Sequence, residues 1–384
     1  MAMGYRIETT PGRLQCLDVL RGMDMFLLTA LGTTLRAFGR NFKLDGFQPV
    51  MEQLSHARWE GFTVEDIIMP LFMFCAGAAI PYSLSKVRSS QSGKKACYMR
   101  ILRRVVLLWI LGMVYQGNLL DFNLETLKLF SNTLQSIAVG YLFSSILYLH
   151  TSWKTQVLTG VGLLGAFWAL MMFVSVGSWG GGSFLEDSNL CEYVDRVVLG
   201  SWRDGATVNA MGQVVFADGY TYTWILSSLN FIVTVLSGML AGELMRSHLG
   251  KGGKFFLTLG IGLGLTALGL LWNYQMPIIK HIWTSSMVLF SSGICYLLLA
   301  FCFLVADWMG LRILNWLIPI GTNCLLAYLA SRFVDFQPFF TGILYGTEQF
   351  IGSPVFNFII VLLAQMTFML CFDLLHRHKI FFRV

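Results

Sequence analysis

Apolar runs of about 20 residues, the length an α-helix needs to cross a hydrocarbon core roughly 30 Å thick, recur along the whole of this chain. They fall near 17–38, 63–85, 101–119, 131–149, 156–176, 223–245, 255–273, 284–306, 313–333 and 355–375. A backbone in lipid must satisfy its own N–H and C=O groups, which a helix does within one segment. The repetition therefore predicts an all-α polytopic membrane protein with about ten transmembrane helices. Of 384 residues, 55% are hydrophobic and only 12% charged, against about a quarter charged in a soluble domain. No stretch between the runs is long enough for a domain of ordinary size. Residues 1–384 read as a single transmembrane domain with one long loop at about 177–222.

Lys and Arg set the orientation, because positive loops stay in the cytoplasm. The segment before the first run (Arg6, Arg13), the second connection (Lys86, Arg88, Lys94, Lys95, Arg100, Arg103, Arg104), the sixth (Arg246, Lys251, Lys254) and the end (Arg377, Lys379, Arg383) are basic. The alternate connections are not, and 177–222 holds Glu186, Asp187, Glu192, Asp195, Asp204 and Asp218 against Arg196 and Arg203. Both termini are thus expected in the cytoplasm, with 177–222 facing outward. The first dozen residues are polar and no small-residue cleavage site follows the first run, so that run is expected to stay as an anchor. The net charge of +6 restates the same bias; it does not indicate nucleic acid. Of eight cysteines only Cys191 falls in an outward loop, and no CxxC or Cys/His spacing occurs. Neither a structural disulfide nor a metal is expected.

In the outward loop, Tyr193, Val194, Val197 and Val198 recur at helical spacing beside Glu192, Asp195 and Arg196, the pattern of a short amphipathic helix at the outer interface. Such a helix could roof a site or simply lie on the membrane. Gly160, Gly162 and Gly165 match GxGxxG, and Gly260, Gly262 and Gly264 its first half. Both lie inside apolar runs with no preceding strand to build a phosphate-binding turn. Close approach of helices accounts better for them, as for Gly238 and Gly242 in GxxxG.

Polar groups inside the runs point to chemistry. Asp18, Arg21 and Asp24 are spaced by three on one helical face. A charge near mid-span costs roughly 2.5–3.5 kcal/mol, so such groups face a bundle interior or a wet cavity. Arg21 either ties Asp18 and Asp24 into a structural ion pair or holds an anionic ligand. His56 lies in SHARWEGFTVEDIIMPLFMF (55–74), a polar and aromatic stretch that leads into the second run on its outward side. This places an imidazole, which titrates near neutrality, at a membrane surface. Thr63 and Asp66 have the T-x-x-D form of a helix start; Asp66 is read either as a cap or as the partner that fixes the His56 tautomer. NYQMPIIKHIWTSS (273–286) carries Lys280, His281 and Trp283, suited to interfacial anchoring or to holding a sugar or carboxylate acceptor. Asn230, Asn323, Gln135 and Tyr328 are read as interhelical hydrogen-bonding groups.

LDVLRGMD (17–24), HARWEGFTVEDIIMPLFMFCAGAAIPYSLS (56–85), the turn at 272–286 and PIGTNCLLAY (319–328) together resemble the heparan-α-glucosaminide N-acetyltransferase family and its bacterial relatives with the DUF5009 domain. The first two blocks carry the specificity, since LDxxRG followed by HxxWxGFTxxD does not arise from composition. The resemblance implies a transmembrane acetyltransferase that takes acetyl-CoA from the cytoplasm and acetylates an amino sugar on the far side. It puts the catalytic histidine at His56, with Asp66 beside it. Trp59, Lys280, His281, Trp283 and Asn323 are the expected acceptor contacts. Asp18, Arg21, Arg103 and Arg104 are the donor-side candidates, the arginines on charge and side alone. Two departures stand out: Gly32 occupies the place of an asparagine in the animal enzyme, and YTYTWILSSLN (220–230) stands where bacterial relatives often read D-P-E-G. The resemblance further implies a bacterial inner membrane, with lipid, acetyl-CoA and a glycan as partners; homo-oligomerisation is left open. The competing reading is an amino-sugar transporter, since polytopic bundles with intramembrane charges also describe carriers, although no internal repeat or pair of broken helices supports it.

Overall fold

The computed structural model describes residues 14–42, 46–89, 94–217 and 222–382. Arg6, Arg13, Asp218, Tyr220 and Arg383, which entered the sequence reading, lie outside the described residues. The chain is an all-α membrane protein. Among the described residues the only strands named are two short hairpins inside the long loop, Ser175–Val176 with Trp179–Gly180 and Ala206–Val208 with Val214–Phe216.

Among the described residues, six helices are long and apolar enough to cross a membrane: Val64–Ser89, Trp153–Phe173, Ser228–Arg246, Lys251–Trp272, Ser285–Trp308 and Ser353–Arg377. Two environments divide them. Val64–Ser89, Ser228–Arg246 and Ser285–Trp308 bury 61–67% of their apolar windows, and the other three only 17–28%. Leu158, Val161, Phe256, Leu271 and Met366 project outward from those three, as side chains facing lipid do. The other four expected runs are also helical but depart from a plain apolar span. Gln15–Phe26 and Gly32–Phe42 are joined through a π-helical Leu27–Leu31 and carry the three charges spaced by three. Lys94–Tyr115 starts with a basic stretch, Thr133–His150 contains Gln135, Ser136, Ser144 and Ser145, and Cys324–Phe333 follows a break at Asn323.

Glycine sets the central contacts. A Cβ on Gly77 would lie 2.0 Å from the carbonyl oxygen of Val235, and one on Gly238 equally close to that of Phe74, so Ile68–Ala78 and Ser228–Arg246 touch backbone to backbone. Gly242 does the same against Ala78. Gly22 faces the carbonyl of Leu317, and Gly321 that of Asp18, each at 2.0 Å for an added Cβ. The LDVLRGMD and PIGTN blocks are therefore two halves of one contact. Close packing explains only part of the other glycine patterns: Gly262 meets Leu297 and Gly160 sits at ordinary distance from Leu236, but nothing lies within 4 Å of an added Cβ on Gly162, Gly165, Gly260 or Gly264.

The loop helix forms at Leu190–Leu199, capped by Asn189, whose side chain accepts from Glu192 N. Its buried face is not the valine face. Val197 and Val198 are exposed, and Glu192 and Asp195 point inward. Glu192 holds Arg196 at 2.7 Å and also pairs with the buried Arg203. Asp195 accepts from the backbone N–H groups of Trp224 (2.8 Å) and Ile225 (2.9 Å), and burial pushes its carboxyl up to about 7.

Candidate functional site

The stretch after His56 is held by the 273–286 turn. Gly61 N donates to Ile278 O at 2.8 Å, and Glu60 pairs with Ile279 as an antiparallel bridge. Gly61 adopts φ of 110°, a conformation that favours glycine. This pairing carries Lys280 to His56. Trp59 is pinned separately, its Nε1–H donating to Phe184 O in the long loop at 2.8 Å.

Asp66 is the hub, and both jobs considered for it from sequence fall to it at once. Oδ2 accepts from Thr63 N at 3.0 Å and Ala57 N at 3.2 Å, starting the helical turn Val64–Ile67. Oδ1 faces His56 Nδ1 at 2.8 Å and accepts from Lys280 Nζ at 3.2 Å. Lys280 Nζ also lies 3.1 Å from Nδ1. An ammonium and an N–H cannot bond to each other, whereas both can donate to one carboxylate oxygen. Asp66 thus fixes the tautomer with the proton on Nδ1 and leaves the Nε2 lone pair open. The Asp66 carboxyl is buried, while the His56 side chain keeps 49% of its surface exposed. Burial lowers the Lys280 pKa and the neighbouring Asp66 opposes that shift.

His56 opens into a cavity of about 300 Å³, lined by Leu28, Glu65, Met69, Phe72, Tyr115, Gln116, Ser131, Thr133, Tyr222, Trp224, Lys280 and Tyr328 among others. That volume is at the lower end for small-molecule sites. His281 is stacked on Trp59 with ring centroids 5.4 Å apart and lies 4.3 Å from Tyr222. Burial, reinforced by Lys280, lowers its pKa to about 4. A larger groove, about 670 Å³, lies elsewhere between Phe26, Trp316 and Leu362–Leu370 side chains; it is mostly apolar and holds none of the histidines.

The second charged site is at the opposite, basic end. Asp18 and Arg21, paired at 3.3 Å, line a cavity of about 390 Å³ with Leu14, Leu17, Ala79, Tyr82, Ser83, Thr322 and Phe381. Arg103 and Arg104 do not line it. Arg103 is exposed, and Arg104 stacks its guanidinium over Tyr141 at 4.3 Å. Arg21 does not reach Asp24: the ion pair joins it to Asp18 only, and neither Asp24 oxygen has a partner among the described residues.

Three sequence readings need correction. Trp283 is neither an interfacial anchor nor an acceptor contact. It is 1% exposed, donates from Nε1 to Thr234 Oγ1 at 3.0 Å and packs edge-on against Phe231. Lys280 is likewise buried and committed to Asp66 rather than anchored in the interface. Asn323 lies on the basic side of the bundle, donating to Ile380 O at 3.0 Å and accepting from Phe382 N at 2.8 Å, so it ties down the C-terminal segment and does not line the His56 cavity. Sequence reasoning also missed Tyr115, Gln116, Ser131, Thr133, Tyr222 and Trp224. One signal was available for part of this set. Asn132 and Gln135 form a reciprocal helix cap, which fixes the strand-like stretch holding Ser131.

Residues 13–189 match DUF5009, a domain of unknown function. The chain is 22% identical over 382 residues to the heparan-alpha-glucosaminide N-acetyltransferase of Homo sapiens, and 22% over 387 residues to that of Mus musculus. Each match covers 87% of this chain, and the chain spans 55% and 56% of those relatives, about half their length. These matches support the relationship to that family implied by the motifs.

Proposed function

We propose that this protein is a transmembrane acetyltransferase that moves acetyl from cytoplasmic acetyl-CoA to an amino sugar or related glycan on the other side, in a bacterial inner membrane. In this reading about ten helices cross the lipid, both termini are cytoplasmic, the Arg21 cavity receives the donor and the His56 cavity receives the acceptor. The observation that carries it is the imidazole held at Nδ1 by Asp66 on the wall of a cavity. His56 Nε2 takes the proton from the attacking amine as nitrogen adds to the thioester carbonyl. The carbon–sulfur bond then breaks, and the same proton returns to the departing thiolate, giving an amide and free CoA. Asp66 steadies the imidazolium formed in between. Lys280, held against Asp66, is placed where positive charge can stabilise the oxyanion. Tyr115, Tyr222 and Trp224 line the cavity and offer ring faces to the sugar, while His281, stacked on Trp59, packs behind Tyr222.

The test is CoA release by detergent-purified protein over a panel of glucosamine derivatives, with His56→Ala alongside. Acceptor-dependent release that His56→Ala abolishes supports the reading. Undiminished release in that variant removes His56 from the mechanism. Uptake of unmodified amino sugar by proteoliposomes lacking acetyl-CoA would favour the transporter instead. The same lone pair can also accept the acetyl group itself, and acid-quench trapping of labelled acetyl on the wild-type protein without acceptor separates the two routes.

A further inference from the structure

Asp24 is the least accounted-for carboxyl in the molecule. It is fully buried, and neither carboxyl oxygen has a hydrogen-bond partner among the described residues. A buried polar group without a partner is costly, and one in a membrane bundle is expected to serve a ligand or pathway.

Its position follows from the cavities on either side. On the first helix Asp18 and Arg21 line the basic-end cavity, Leu28 lines the His56 cavity, and Asp24 falls between them. On Ile68–Ala78 and its continuation the order repeats: Met69 and Phe72 line one cavity, Ala79 and Tyr82 the other, with Cys75 between. It repeats again where Thr322 lines one and Tyr328 the other, with Cys324 between. Cys75, Cys295 and Cys324 are electrostatic neighbours of Asp24. Arg21 and Leu28 are seven residue steps apart on the helix, so the septum is roughly 10 Å thick. Between the residues that line the two cavities, each of the three elements thus carries a thiol or a carboxyl: Asp24, Cys75 and Cys324.

We infer that Asp24 is a donor-binding residue in this septum, where it accepts a hydrogen bond from an amide N–H on the slender arm of an acyl thioester that reaches from the Arg21 cavity to His56. The inference rests on the acetyltransferase reading and adds the residue that recognises the arm. Neither cavity is lined by Asp24, so the arm has to part the helices here; an extended chain with amide donors is slender enough to do so and to satisfy the lone carboxyl, and a sugar ring is not. The nucleotide part of the donor remains in the basic-end cavity and does not contact Asp24.

Calorimetric titration of the full chain in detergent tests this with two probes, acetyl-CoA and 3′,5′-ADP, which lacks the arm. The variants are Asp24→Leu, which keeps the size and removes the acceptor oxygens, and Asp24→Asn, which keeps one. Asp24→Leu is expected to weaken acetyl-CoA roughly tenfold or more, to leave 3′,5′-ADP within about twofold, and to raise Tm because an unpaired polar group has been replaced by an apolar one. Asp24→Asn should retain most of the acetyl-CoA affinity. Unchanged acetyl-CoA affinity in Asp24→Leu overturns the inference. So does a parallel loss of both probes with a fall in Tm, which marks a structural residue. Wild-type protein that binds neither probe overturns the donor reading itself, an outcome distinct from the other two.

Discussion

Asp66 and Asp24 are both buried carboxyls in the same bundle, yet Asp66 accepts from His56, Lys280, Thr63 and Ala57, and Asp24 from no described residue. The first is over-determined: two backbone donors fix one oxygen, so the other can hold an imidazole and an ammonium in place. That is how a group is built to position another. The second has bonding capacity left over, flanked by cavities on either side. In the proposed reading, the rigid end holds the base still and the unmet acceptor between the cavities meets the donor arm.

The comparison can be broken most forcefully at His56. His56→Ala should reduce kcat by about 10²–10⁴ while Tm changes little, since the side chain is half exposed; turnover followed against thermal melting checks this. Asp66→Asn should cost about 10² or more in kcat by disturbing the tautomer, and should also lower Tm because the same carboxylate starts a helix. A variant that loses activity without any change in Tm would separate the two jobs. Lys280→Met leaves Asp66 without its buried counter-charge and should destabilise the fold by about 3 kcal/mol, measured by denaturant or thermal unfolding. Equal stability of the variant would show that the ammonium is not a structural partner of Asp66.

The smallest effect sharpens the comparison through pH. Burial holds the folded-state His281 pKa at about 4, below the ordinary 6.5. Between those values the unfolded chain binds a proton that the folded chain refuses, so the stability associated with His281 is complete above about pH 6.5 and is lost as pH falls toward 4. The wild-type Tm should therefore drop more than that of His281→Gln when pH is lowered across that window. Identical drops would mean that the stacked ring between Trp59 and Tyr222 takes up its proton freely.

Much of the scaffold was legible because its cause is local. Apolar length marks a helix in lipid, T-x-x-D marks the turn that begins at Val64, and GxxxG marks the close contact of Gly238 and Gly242 with Ile68–Ala78. The site was legible only where one segment carries two of its parts, as with His56 and Asp66. Lys280 reaches them through the pairing of Gly61 with Ile278, a contact between residues far apart in sequence. Trp224 is placed by Asp195, which accepts from the Trp224 and Ile225 N–H groups and lies on the face of the loop helix that the valine pattern would have turned outward. Trp283 misled because a tryptophan beside a lysine in a loop resembles an interfacial anchor, and its burial depends on Thr234 and Phe231 of another helix. Asn323 misled for a related reason: its partners, Ile380 and Phe382, come from the far end of the chain.

Transfer between compartments is the central claim, and sealed proteoliposomes with purified protein in a single orientation test it most directly. Acetyl-labelled CoA is supplied on the side of the Arg21 cavity and an amino-sugar acceptor is enclosed on the other. The expected result is labelled N-acetyl sugar in the acceptor compartment, absent with His56→Ala. Product formed only when donor and acceptor share a compartment would contradict it.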